Sequence, residues 1–178
     1  MPVTNDRASE GPVEQLAAQY GLLTCVECGK CVSACPMAEI FADFSYEVSP
    51  RGVIERVLLG HETSGDPGIW FCLTCDVCTD LCPAGVRFRD FVDAVRHLSI
   101  RAGITGFGSF CRRCGQYICP QHTSRHLKRL LGTTGEETIA LCPRCRRYEL
   151  GETMQGLLPG RQRVPPRPSN HDTEGPSR

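Results

Sequence analysis

The stretches CVECGKCVSACP (residues 25–36) and CLTCDVCTDLCP (residues 72–83) decide the reading of this chain, because they carry one spacing twice. In each, four cysteines follow C-x2-C-x2-C-x3-C and a proline closes the run. The first run holds Cys25, Cys28, Cys31, Cys35 and Pro36; the second holds Cys72, Cys75, Cys78, Cys82 and Pro83. This is the bacterial-ferredoxin type of ligand run for 4Fe–4S clusters. Three thiolates at two-residue gaps let one loop wrap three corners of a cubane, with backbone N–H groups turned toward the sulfurs. The proline after the fourth cysteine suits the first position of a helix, where a missing N–H costs nothing. In two-cluster proteins the fourth thiolate ligates the other cluster. The expected ligand sets are therefore Cys25, Cys28, Cys31 and Cys82 for one 4Fe–4S cluster, and Cys72, Cys75, Cys78 and Cys35 for the other. Structural zinc uses separated C-x2-C pairs, which three cysteines in a row suit poorly.

Composition narrows the class. The 178 residues include 13 cysteines, an odd number, which a secreted disulfide scaffold would not normally carry. The N-terminus shows no apolar segment preceded by basic residues. No apolar run approaches the roughly 20 residues that span a bilayer. The expectation is a soluble protein of a reducing cytoplasm, with cysteines as metal ligands. Only 7% of residues are aromatic, so the core is modest and metal crosslinks help to hold it. The zero net charge conceals an asymmetry. Residues 1–110 carry 8 Lys+Arg against 14 Asp+Glu, a net of −6; residues 111–178 carry 12 against 6, a net of +6. Arg-rich tails can bind nucleic acid, but +6 spread over 68 residues is ordinary, and solubility or docking onto an acidic partner explains it better.

The pattern between the cysteines is helical. Val13, Leu16, Ala17 and Tyr20 recur at helical spacing, with Gly21 as a stop. MAEIFADF places Ile40, Phe41 and Phe44 on one side of a helix. In SPRGVIERVLLG, Ser49 caps, Pro50 takes the first position, Val53, Ile54, Val57 and Leu58 form an apolar face, and Gly60 ends the helix. HETSGDPG reads as a turn-rich loop. Phe88, Phe91, Val92, Val95 and Leu98 mark an amphipathic helix, and GITGFGSF reads as a glycine-rich hinge. Residues 1–11 and the proline-bearing tail from Pro159 are expected to be disordered.

A third cysteine group follows the hinge. Cys111 with Cys114, and Cys142 with Cys145, form two C-x2-C knuckles with 27 residues between them. That arrangement predicts a zinc-ribbon-like module with a closed site of four thiolates for one zinc. A single rubredoxin-like iron uses the same knuckle geometry. TSRHLKRLLG between the knuckles predicts a short helix capped by Thr123 or Ser124 and stopped by Gly132. Cys119, His122 and His126 offer three ligands for a second zinc; the alternative, a buried cysteine and histidines on a helix face, fits the ligand count better. His61, His97 and His171 have no partner at a motif spacing. Lys30 lies inside the first ligand loop, where a solvated lysine is the simpler reading. GFGSF lacks the third glycine of a dinucleotide fingerprint.

From Val13 to Ala102 the chain resembles the C-type subunit of heterodisulfide reductase, on CVECGKCVSACP, SPRGVIERVLLG and IWFCLTCDVCTDLCPAGV followed by a helix. Similar helical domains occur in iron–sulfur subunits of succinate dehydrogenase and in the C-type subunit of anaerobic glycerol-3-phosphate dehydrogenase. The resemblance implies a mainly α, helical ferredoxin-type domain over residues 12–104 that binds two 4Fe–4S clusters. A zinc-ribbon-like module over 108–150 and a disordered tail over 159–178 follow it. It further implies a relay of single electrons between partners like the A-type and B-type subunits of heterodisulfide reductase. No C-C-G motif of the catalytic subunit and no flavin fingerprint is present, so the chain has no evident substrate site of its own. The competing readings are the iron–sulfur subunit of another anaerobic dehydrogenase, a zinc-stabilised nucleic-acid-binding protein with the basic second half as the reader, and a redox-sensing regulator.

Overall fold

In the computed structural model, residues 11–61, 63 and 65–157 are described. The disorder expected at the two ends falls, Gly11 apart, outside these residues. The described chain runs through nine helices, one 3-10 turn and one two-stranded sheet.

Helix α1 (Pro12–Gln19) buries Ala17 and ends where Gly21 turns left-handed. A 3-10 turn (Leu22–Thr24) delivers the chain to the first cysteine loop, which contains the single-turn α2 (Lys30–Ser33). Helix α3 (Met37–Ile40) is shorter than the sequence pattern implies. At Phe41 the backbone becomes extended (φ −123°, ψ 122°), and the Phe41 ring packs edge-on against Phe71 at 5.2 Å. A continued helix would follow local apolar spacing; the aromatic pocket wins instead.

Helix α4 (Pro50–Leu58) follows the capping chemistry of its sequence. The Gly52 N–H donates to Ser49 Oγ at 3.2 Å, and the Ser49 hydroxyl donates back to the Tyr46 carbonyl. Val53, Ile54 and Val57 are buried, whereas Leu58 faces solvent, so the apolar face is narrower than expected. Helix α5 (Pro67–Phe71) arises from a stretch that reads as a loop. Asp66 accepts from the Gly68 N–H at 2.7 Å and takes the Arg56 guanidinium through two bonds of 2.7 Å, while Pro67 opens the helix. An Asp-Pro pair is a helix start as well as a turn signal, and burial of Ile69 and Trp70 decides between them. Helix α6 (Val77–Asp80) lies in the second cysteine loop. Pro83 opens a turn rather than a helix, and α7 (Phe88–Arg101) begins only after Gly85 has redirected the chain.

The main core lies among α1, α4, α5 and α7, and includes Leu22, Val53, Ile69, Trp70, Phe91, Val92 and Val95. Partly buried Cys25, Cys72, Cys78 and Cys82 pack against it, so the ligand loops sit on this core. A smaller cluster of Met37, Phe41 and Phe71 supports Cys35.

The expected hinge is instead the first edge of a hairpin. Strand β1 (Gly108–Phe110) pairs antiparallel with β2 (Tyr117–Pro120), with Ser109 opposite Cys119. Phe107 stacks on Trp70 at 5.7 Å, which docks the hairpin on the helical core. Helix α8 (Gln121–Ile139) starts before Thr123 and Ser124, so neither caps it. At Gly132 the backbone adopts φ 62° and ψ −156°, a conformation open essentially to glycine alone; the chain bends there and becomes helical again. Helix α9 (Pro143–Leu157) completes the described chain.

Gly52 shows how closely α4 is seated. A Cβ there would lie 2.2 Å from the Tyr46 carbonyl oxygen and 3.0 Å from Glu47 Cα. At an open helical site, alanine in place of glycine gains roughly 1 kcal/mol. Gly52→Ala is expected to reverse that sign and destabilise the protein by about 1–3 kcal/mol, as overpacking does; its urea midpoint relative to the parent measures this.

Candidate metal centres

The two ligand loops adopt one backbone conformation built from different residues. Glu27 and Gly29 have φ of 56° and 74°; the equivalent Thr74 and Asp76 have 55° and 74°. Cys25 and Cys72, which open the loops, match as well, at φ −61° and −62°. A left-handed residue other than glycine costs about 1–2 kcal/mol. Three are held in these two short loops, so surrounding structure imposes the turn. The effect is to curl the backbone around the cysteines. The Thr74 N–H donates to Cys72 Sγ at 3.3 Å, and the Val86 N–H to Cys82 Sγ at 3.4 Å. Such donors suit thiolate ligands and tune a bound cluster.

The sulfurs surround two cavities rather than converging on points, as ligands of a group larger than one ion must. Cys25, Cys28, Cys31 and Cys82 line the first, together with Pro50 and Arg51. Cys35, Cys72, Cys75 and Cys78 line the second, together with Pro50 and Arg89. Cys35 thus lies with the cysteines of the second run, and Cys82 with those of the first. Pro50 and Cys78 border both cavities, so the two adjoin. Pro50 is the first residue of α4, whose positive helix end is therefore turned toward both cavities.

Electrostatic coupling follows the same grouping. Burial pushes the Cys31 thiol up, and neighbouring Cys25, Cys28 and Cys82 push it further. Burial also raises Cys35, to which Cys75 adds. Cys72 is pushed up to about 11 by burial, with Cys35 and Cys75 adding and the Arg96 guanidinium opposing. Cys78 is pushed up to about 12 by burial and then by Cys72, Cys75 and Cys31. Ligation to a cationic cluster core would remove this penalty, since the cysteines would then be held as thiolates.

Several neighbours of these cavities carry no signal in the cysteine motif. Arg51 is 8% exposed; its Nη2 lies 2.7 Å from Glu27 Oε1. Burial works to lower the Arg51 pKa, but Glu27 and Cys25 outweigh it and hold the guanidinium above its ordinary value. Arg96 is 3% exposed, and Nε and Nη2 donate to the Ile69 carbonyl at 2.9 and 2.6 Å, with Nη2 also on the Cys72 carbonyl. It therefore fixes the end of α5, where the second loop begins. In the sequence Arg96 is a charge inside an apolar helix pattern, which is the one cue to its role. Lys30 borders the first cavity too.

The four remaining paired cysteines form a tighter group. The Sγ atoms of Cys111, Cys114, Cys142 and Cys145 all lie within 4.8 Å of one another, with Cys114 and Cys142 3.7 Å apart. A tetrahedron with metal–sulfur bonds of ~2.3 Å has edges of ~3.8 Å, so the group fits one ion such as zinc. The architecture is not a ribbon of two hairpins. Cys111 and Cys114 lie in the β1–β2 turn, but Cys142 and Cys145 lie at the start of α9, which Pro143 opens. The Arg112 N–H donates to the Ala140 carbonyl at 3.0 Å, joining the two knuckles, and Arg113 covers the Tyr148 ring of α9 at 4.2 Å. Burial pushes Cys111 up, but N–H groups of Cys142, Cys114 and Arg113 outweigh it and bring the thiol down to about 6.

Cys119, His122 and His126 do not assemble a second site. Among the described residues the only group spaced to hold a single ion is the four-cysteine one. His122 lies against the Phe41 and Phe71 rings at 4.2 and 4.4 Å, and His126 against Phe41 at 4.9 Å. The histidines pack α8 onto the Phe41 pocket, as the helix-face reading expects. His61 and His97 are exposed; His171 is outside the described residues.

Residues 21–86 match the 4Fe-4S dicluster domain. All eight cysteines of the duplicated runs fall inside the match. The match and these cysteines support an iron–sulfur protein. No curated protein matches the chain. No helix among the described residues is long and apolar enough to cross a membrane.

Two outcomes follow from the thiols. Because folding raises Cys72 and Cys78, the metal-free folded state keeps protons that the unfolded chain gives up. Their contribution to stability is whole below the ordinary value of 9.0 and is lost as pH climbs through about 11 and then about 12. Anaerobic urea unfolding of metal-free, reduced protein is expected to give a lower midpoint at a pH of about 10.5 than at about 8. In the C-terminal module, the buried core is Leu141 with the cysteines themselves. An ion held by these four thiolates would add on the order of 10 kcal/mol, the scale of structural metal sites. Cys142→Ser is expected to unfold α9, read as lost helical circular dichroism and protease cleavage after residue 140, while visible iron absorption stays.

Proposed function

We propose that this chain is the iron–sulfur electron-transfer subunit of a heterodisulfide-reductase-like complex, relaying single electrons between a flavin- and iron–sulfur-bearing subunit and a catalytic subunit. The observation that carries the proposal is the pair of adjoining thiol-lined cavities, which share Pro50 and Cys78 as a common wall. Centres in adjoining cavities suit electron passage from one to the other. When bound, each 4Fe–4S cluster takes up and gives back one electron. In this reading Cys25, Cys28, Cys31 and Cys82 hold one cluster, and Cys35, Cys72, Cys75 and Cys78 hold the other. The Thr74 and Val86 N–H groups donate to cysteine sulfurs, α4 points its positive end between the clusters, and the α1–α4–α5–α7 core keeps water from their inner faces.

Support for the partner class comes from the resemblance to the C-type subunit of heterodisulfide reductase over Val13 to Ala102, including the SPRG segment that opens α4. The partners are then proteins like the A-type and B-type subunits of that enzyme. The four-thiol group of Cys111, Cys114, Cys142 and Cys145 takes zinc in this proposal, because its sulfurs are spaced for one ion and its second pair sits on a helix that the metal anchors. Its role is to dock the basic C-terminal part, net +6 over residues 111–178, against an acidic partner surface.

Anaerobically purified protein is expected to be brown, to contain about eight irons and about one zinc per chain, and to bleach with dithionite. A colourless protein holding zinc alone would sink the proposal. Ligand crossing has its own test. Cys35→Ala is expected to damage the cluster held by Cys72, Cys75 and Cys78, seen by electron paramagnetic resonance, and to spare the other. Loss confined to the cluster of Cys25, Cys28 and Cys31 would show that the ligand sets do not cross.

A further inference from the structure

Arg51 carries a buried donor that the protein leaves unanswered. Its Nη2 is committed to Glu27 at 2.7 Å, but Nη1 is fully buried and has no hydrogen-bond partner. Buried donors in native proteins are almost always satisfied, and an orphaned guanidinium N–H is costly. Arg51 borders the cavity lined by Cys25, Cys28, Cys31 and Cys82. Glu27, which holds it there, is itself one of the left-handed residues inside that ligand loop. The position is further fixed from the α4 side, because Ser49 caps the helix and the close approach of Gly52 to Tyr46 leaves no room for a shift.

Resting on the cluster assignment proposed above, we infer that Arg51 Nη1 donates a hydrogen bond to a sulfur of the cluster at Cys25, Cys28, Cys31 and Cys82 and raises its reduction potential. Reduction adds one negative charge to the cluster, so a desolvated cation with a donor at the sulfurs stabilises the reduced form more than the oxidised one. Among the described residues the second cavity has no equal free donor. Its cation, Arg89, is 44% exposed and paired with Asp76 at 3.3 Å. Arg96, near Cys72, directs Nε and Nη2 to backbone carbonyls. Arg96 acts on the second cluster as a charge with its donors already spent, whereas Arg51 adds a free donor at the first, and so shifts the first cluster relative to the second.

The test is an anaerobic redox titration followed by electron paramagnetic resonance, with Cys28→Ser identifying the signal of the first cluster. Wild-type protein must first show two reducible clusters and about eight irons; if it does not, the electron-carrier reading fails before Arg51 is questioned. In Arg51→Met the first cluster is expected to become at least tenfold harder to reduce, ~59 mV more negative for one electron, while the second barely moves. Arg51→Lys, which keeps the charge but not the planar fork, is expected to fall in between. Glu27→Gln lies on the solvent side, at 71% side-chain exposure, and frees the guanidinium from its counter-charge; it is expected to make the first cluster easier to reduce. An unchanged first midpoint in iron-replete Arg51→Met, or equal shifts of both clusters, overturns the inference. If Arg51→Met fails to hold iron, the Lys and Gln variants decide: the inference stands only if they shift the first cluster in opposite directions.

Discussion

Eight thiols held side by side at the edge of a small core are an unfavourable arrangement unless something cationic answers them. Burial and mutual repulsion push Cys31, Cys35, Cys72 and Cys78 away from ionisation, the last to about 12. The rest of the N-terminal half is organised around that constraint. The hydrophobic cluster of α1, α4, α5 and α7 lies directly behind the cysteines, and three non-glycine residues are kept left-handed to bend the loops. The folded state alone gives little return for this strain; ligation of iron–sulfur clusters would, since it turns every raised thiol into a bound thiolate.

The segment Ser49-Pro50-Arg51-Gly52 concentrates several of these demands in four residues. Ser49 satisfies the first turn of α4, Pro50 presents the helix end to both cavities, Arg51 enters one of them, and Gly52 lets the helix pack onto Tyr46 and Glu47. The four act in series. The cap places the helix, the glycine fixes its depth, and depth decides where the guanidinium lies. Geometry of this kind converts a local sequence motif into an electrostatic difference between two otherwise similar loops.

The C-terminal half is attached through aromatic rings rather than through the ligand loops. Phe107 stacks on Trp70, Tyr117 meets the same indole edge-on at 6.2 Å, and His122 and His126 cover Phe41. The four-thiol group then joins the hairpin to α9 across a core too small to do so alone. The histidines illustrate how a metal-like sequence can resolve into packing. His122 and His126 lie one turn apart on α8, just after Cys119 of β2, but the free energy available from burying Phe41 and Phe71 directs them onto the rings.

What the sequence by itself determined is whatever depends on near neighbours: the duplicated C-x2-C-x2-C-x3-C runs, the capped α4, the amphipathic α7 and the paired knuckles. Spacing along a chain sets how a short loop can bend, so these features were legible without coordinates. Where α3 stops, that Asp66 and Pro67 start a helix, that the glycine-rich stretch becomes β1, and that the second knuckle begins α9 were decided only in the tertiary structure. Each depends on burial against residues distant in the chain, such as Phe71 for α3 and Trp70 for the hairpin. The buried Arg51 and Arg96 belong to the same class. A charge in an apolar pattern can be seen in a sequence, but which thiol or carbonyl it meets is set by how helices pack.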